Sequence, residues 1–203
     1  MKEIPVSFQS DGELHGTLAF PEANAAKKHP AVLLLHGSGP VDRDENAPFA
    51  KMNVFKRLSE ALTENGYAVL RYDKRGVGES KGNFYEAGLF DLVSDAEAAF
   101  TFLQAHPDID ADRIFLLGHS EGCALAVLLQ LRQTARGLIL LAGAAESLKT
   151  TILRQGEQAS RDLQSTGGWK GAFCRLLQIP EKIMKQQASL IARVERTPHP
   201  VIR

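Results

Sequence analysis

Gly118-His119-Ser120-Glu121-Gly122 sets a serine between two glycines in the spacing G-x-S-x-G. The apolar run I-F-L-L precedes it and C-A-L-A-V-L-L follows it. That order reads as strand, sharp turn and helix, with the Ser120 hydroxyl held above a sheet. A side chain two residues to either side of the serine would collide with neighbouring backbone, which is why glycine stands at 118 and 122. Such a serine suits nucleophilic attack on an acyl carbon, with amides at the helix N-terminus facing the developing oxyanion. A second loop, His36-Gly37-Ser38-Gly39-Pro40, ends another apolar run, A-V-L-L-L. Its Ser38 amide and the Glu121 amide would together form an oxyanion hole; the alternative is a plain strand-ending turn.

A serine hydroxyl also needs a base, usually a histidine oriented by a carboxylate. After the Gly118–Gly122 turn the chain has one histidine, His199, and five acids, of which Glu146 closes the loop after the last strand run. His199 and Glu146 are therefore the candidate base and acid, although no predicted element would hold His199 in place. The alternative for Glu146 is an ordinary residue at a helix start. His119, next to the serine, reads as a packed or hydrogen-bonded neighbour, and His36 as a residue that fixes its own loop. Asp42, Arg43, Asp44 and Glu45 read as an ion-pair network at a helix start rather than a metal site. Cys123 reads as a small buried hydrophobe. No cofactor is expected. Gly76-x-Gly78 and Gly37-x-Gly39 lack the third glycine of a dinucleotide loop, and no G-x-x-x-x-G-K-[ST] occurs.

The positioning elements follow from hydropathy. Residues 4–8 and 14–20 read as strands joined at Asp11-Gly12. Residues 31–35, 67–72, 113–117 and 137–141 are short apolar strand runs, typical of a sheet covered on both faces. Phe49, Met52, Phe55, Leu58 and Leu62 mark a helix ending at Asn65-Gly66. Val93, Ala96, Phe100 and Leu103 mark a second, and 123–131 a third. Alternation of strand and helix predicts an α/β fold with a mostly parallel sheet and helices on both faces. The expected division is a core over 1–145 and a helical cap over 146–203. In the cap, helices at 148–163, 169–177 and 181–194 are separated by Gly167-Gly168 and Pro180. Trp169, Phe173, Leu176 and Leu177 form an apolar stripe, read either as pocket lining or as the cap's own core.

The chain has 203 residues, 44% hydrophobic and 24% charged, with 24 Lys+Arg against 24 Asp+Glu. These values exclude a disordered chain and weaken nucleic-acid binding, which needs a basic excess. Residues 147–203 hold ten basic and four acidic residues, a net of +6, which leaves −6 for 1–146. A basic layer docked on an acidic body, or one that attracts anionic substrates, would produce this split. Two cysteines, no secretory leader and no apolar stretch of about 20 residues predict a cytoplasmic protein with no membrane partner.

The motifs H-G-S-G-P-V-D-R-D-E, R-Y-D-K-R-G-V-G-E-S and G-H-S-E-G, in this order over residues 1 to about 145, resemble the α/β-hydrolase superfamily. The likeness is nearest to bacterial serine esterases of the dienelactone-hydrolase and prolyl-oligopeptidase-like branches. It implies Ser120 as nucleophile, oxyanion amides at Ser38 and Glu121, and a structural loop at Asp73, Arg75, Gly76 and Gly78. It also implies a helical cap and a small ester or acyl substrate. In that family the acid and histidine follow two further strands, which this chain does not show, so the chain is expected to be truncated. The run 137–141 would then be an exposed sheet edge favouring self-association, and the first helix would lose cover around Phe55 and Leu58. Two readings stay open: an esterase-like serine hydrolase, with thioesters or amides as alternative substrates, or a non-catalytic remnant serving as a binding module.

Overall fold

A computed structural model describes residues 1–22, 28–47 and 50–196. The chain divides into two compact units, Met1–Gly143 and a second beginning at Ala144. The first is built on a mixed six-stranded sheet, in the order β1-β2-β4-β3-β5-β6. β1 (Lys2–Ser10) and β2 (Gly12–Phe20) form an antiparallel hairpin, and β2 runs antiparallel to β4 (Ala68–Tyr72). β4, β3 (His29–Leu35), β5 (Ile109–His119) and β6 (Gly137–Leu141) are mutually parallel.

The helices between them are α1 (Val54–Glu64), α2 (Leu89–Ala105) and α3 (Glu121–Gln130). Leu33, Leu35, Leu70 and Leu116 pack with Phe100 and Leu103 of α2 and Leu125 and Leu129 of α3. Their alternates, Val32, Leu34, Val69 and Leu117, pack on Phe55 of α1. This period of two is the strand geometry that buries both faces. From β3 the chain moves outward to β4, then crosses back over β3 to β5. The loops leaving β3 and β5 therefore lie side by side at a switch point, where α/β sheets bind ligands.

Several sequence expectations change. α1 starts at Val54 rather than near residue 49. Asn53 precedes it at φ 51, its Oδ1 accepting from Asn46, and Met52 is exposed. Phe49 lies outside the described residues. Phe55 is fully buried, and Leu58 packs on the same cluster, so α1 keeps its cover there. β5 begins at Ile109, four residues early, because the polar D-A-D-R hides its first half. β6 is hydrogen-bonded to β5 at the sheet edge, and Ile139, Leu140 and Leu141 are partly exposed.

The second unit contains α4 (Leu148–Ser165), α5 (Gly168–Leu176) and α6 (Ile179–Arg196). Ser147 caps α4 by accepting from the Thr150 N–H. Gly156 lets α6 approach α4, since a Cβ there would overlap the Gln187 amide. Pro180 does not separate helices but sits in the first turn of α6, where its missing N–H has no intrahelical partner to lose. Trp169, Phe173 and Leu176 are exposed, so the α5 stripe is not this unit's core. Among the described residues no helix is long and apolar enough to cross a membrane.

Candidate active site

Ser120 sits between β5 and α3 with φ 52 and ψ −113, a positive φ that a residue with a Cβ adopts only under constraint. Two backbone bonds hold it: its N–H donates to Leu141 O at 2.9 Å, and its carbonyl accepts from Cys123 N at 3.1 Å. The flanking glycines are sterically enforced. A Cβ on Gly118 would lie 2.6 Å from Cys123 N, and one on Gly122 would lie 2.8 Å from His36 O. Among the described residues Ser120 Oγ makes no hydrogen bond, and the Glu121 N–H, first in α3, has no protein acceptor.

The loop leaving β3 meets this turn at Gly37. A Cβ there would lie 3.4 Å from Ser120 Cβ, 3.3 Å from His119 Nδ1 and 3.2 Å from Glu45 Oε1. A Cβ would sit in tight contact there, so glycine lets the two loops close this far without displacing a neighbour. Buried Glu45 accepts from Gly37 N at 2.8 Å, and its Oε1 lies 2.7 Å from His119 Nδ1. Buried Lys74 donates to Gly37 O at 2.6 Å and lies 3.4 Å from Glu121 Oε2. Burial pulls the Lys74 ammonium below its usual pKa, against the pull of Glu121 and Glu45. His119 is thus a hydrogen-bonded neighbour.

His36 meets its surroundings mainly by packing. Its ring packs between Phe55 and Tyr72, each 5.1 Å away, and neither nitrogen has a hydrogen-bond partner of normal geometry among the described residues. Burial, helped by Lys74, pushes its pKa down to about 3, so the ring is neutral at ordinary pH.

A second cluster of charge lies under the loop after β4. Asp73 accepts from Arg43 Nη2 at 2.6 Å, Nε at 3.2 Å and the Arg43 backbone N–H at 2.8 Å. Arg43 also meets Glu79, and Arg71 pairs with Asp44 and Glu3. Burial pushes the Asp73 carboxyl up, but its bonds to Arg43 outweigh that and hold it below the usual range. Gly78, at φ 56, packs against the Asp73 carboxylate. Arg75 grips Asp95 of α2 through Nε at 2.7 Å and Nη2 at 2.8 Å, and Ser10 Oγ donates to the same carboxylate. Asp42 accepts the Asp44 and Asn46 N–H groups and closes its own turn. The 42–45 charges thus form an ion-pair network, but one tied to β4 and β5 rather than to the start of α1. Among the described residues no three His, Cys, Asp or Glu side chains converge as a metal site.

Glu146 forms an ion pair with Arg154 of α4 at 2.8 Å. His199 lies outside the described residues. Cys123 is buried, its Sγ 3.2 Å from Gly118 O, and burial raises its thiol pKa. What sequence reasoning missed is Lys74 and the reach of Glu45 to the Gly37 loop. Their only signal was an ionisable residue in each of two motif loops.

The family model for serine aminopeptidase S33 matches residues 47–198. The chain belongs to the serine aminopeptidase S33 family. Esterase EstD of Thermotoga maritima is 32% identical over 154 residues, covering 76% of this chain and 35% of that protein. Among solved structures, the α/β hydrolase GrgF from Penicillium sp. sh18 superposes with TM-score 0.61 at 22% identity, over 79% of this chain and 55% of that one. Est1E from Butyrivibrio proteoclasticus, solved with ferulic acid bound, gives TM-score 0.57 at 27% identity, over 75% and 57%. This S33 chain has the α/β-hydrolase fold. It spans about a third of EstD's length.

Proposed function

We propose that the protein is a serine hydrolase of carboxylic esters working through an acyl-enzyme on Ser120. The observation that carries the reading is the closure of two loops at one point: the Ser120 turn at the end of β5 and the Gly37 loop at the end of β3. Ser120 Oγ attacks the ester carbonyl carbon while a base takes its proton. The carbonyl oxygen becomes an oxyanion that accepts from the Ser38 and Glu121 N–H groups, and the alkoxide leaves as alcohol after protonation. Water then repeats the addition on the acyl-enzyme, releasing acid and restoring the serine. Gly118 and Gly122 give the turn its shape. The relative named as an esterase favours esters over thioesters or amides.

A second reading, a binding module that keeps the turn without turnover, is favoured by one observation. Among the described residues no imidazole hydrogen-bonds Ser120 Oγ, since His119 Nδ1 is engaged by Glu45 and His36 is enclosed. A fluorophosphonate probe with p-nitrophenyl acetate as substrate separates the two. The hydrolase reading expects labelling at Ser120 and turnover, both falling at least about 1,000-fold in Ser120→Ala. Labelling that survives the substitution, or wild-type protein inert to both reagents, rejects it.

A further inference from the structure

We infer that Lys74 is a positioning residue for the oxyanion hole, orienting the Ser38 N–H through the carbonyl on the same peptide. This rests on the serine-hydrolase reading above. The carbonyl of Gly37 and the N–H of Ser38 belong to one planar peptide unit and point in opposite directions. Lys74 Nζ, 2.6 Å from Gly37 O, therefore fixes the direction of the Ser38 N–H. A cation on the carbonyl also polarises the amide, which makes its N–H a stronger donor.

Three further observations converge on this role. Glu45 Oε1 holds the Gly37 N–H at 2.8 Å, so both peptides flanking Gly37 are pinned. Without those bonds glycine, having no Cβ, would leave both planes free to turn. Lys74 also reaches Glu121 Oε2 at 3.4 Å, on the residue whose N–H is the second proposed donor. One ammonium thus spans the two loops that supply the two amides. Finally, Lys74 is 2% exposed and lies 5.2 Å from the Phe84 ring centroid, which holds its long stem in one place. A lysine serving solubility or a surface ion pair would not be enclosed in this way. A preorganised donor is what oxyanion stabilisation requires, because its orientation costs nothing at the moment of reaction.

The test is Lys74→Met, which keeps the length and loses the charge, with Lys74→Gln as a second variant if Met impairs folding. Ester turnover, thermal unfolding and the amide resonance of Ser38 in an ¹⁵N-labelled sample are read together. The expected result is kcat lowered roughly 10- to 100-fold with KM within about twofold, short of the roughly 100- to 1,000-fold seen when a donor is deleted outright. The Ser38 amide should shift and exchange faster with solvent, while unfolding stays cooperative. A kcat within about twofold of wild type, or an unmoved Ser38 amide, overturns the assignment. A purely structural lysine would lower the folded fraction and leave kcat per fluorophosphonate-reactive serine unchanged, which also overturns it. If the wild-type protein is inert to probe and ester, the hydrolase reading falls. The Ser38 amide then decides alone whether Lys74 orients that peptide.

Discussion

Two clusters of buried charge lie at the same end of the sheet, and they are satisfied to different degrees. Around the β4 loop, Arg43 and Arg75 each hold a carboxylate with two nitrogens and glycine packs against the Asp73 pair, with Arg71 Nε left as the one buried nitrogen there lacking a partner among the described residues. Around the Ser120 turn, one oxygen of Glu45 serves both Gly37 and His119, while among the described residues the other has no hydrogen-bond partner and neither His36 nitrogen has one of normal geometry. Paired arginines hold loops in place. Buried polar atoms without protein partners and residues with strained backbone both cluster at functional sites. The contrast teaches that buried charge alone does not mark a site, whereas buried charge with incomplete pairing, beside a strained backbone, does.

The largest effect expected is a pH response from the second of these regions, around the Ser120 turn. Native His36 stays neutral down to about pH 3, whereas in the unfolded chain it takes up a proton below about 6.5. Its contribution is therefore fully present above 6.5 and is lost as pH falls from 6.5 toward 3. The loss is on the order of 5 kcal/mol. Urea unfolding across that window should show the slope, and His36→Gln should flatten it; an unchanged slope would break the contrast.

The paired cluster should respond to deletion instead. Asp95→Ala strands the buried Arg75 guanidinium and should cost about 3–5 kcal/mol in urea unfolding. Turnover per folded molecule should stay at wild-type level. A fall in kcat at unchanged stability would show that the two clusters are one functional unit. The smallest effect belongs to the exposed partner of Arg43. Glu79→Gln should change stability by less than about 1 kcal/mol, and that difference should shrink further in high salt.

Much of the fold was legible because apolar runs such as A-V-L-L-L satisfy both faces of a parallel sheet and leave few other choices. Boundaries were less legible where a second rule took precedence. The run from Phe49 extended α1 by spacing, but the Asn46–Asn53 pairing ends the loop and α1 begins at Val54. Pro180 looked like a breaker because proline disrupts helix interiors, yet the first turn tolerates it. The strand-turn-helix at Ser120 is a local pattern and can be read along the chain. Lys74 and Glu45 could not be read so, because their partners come from residues 37, 119 and 121, brought together only by the crossover from β4 to β5.

The double anchoring of Gly37 bears on how such a loop can diversify. Both bonds go to the main chain, so neither depends on which side chain follows. In the proposed oxyanion hole position 38 would deliver its donor from the backbone, and every residue except proline carries that donor. On the proposed reading, Lys74 and Glu45 would hold that donor in place whichever side chain stands at 38.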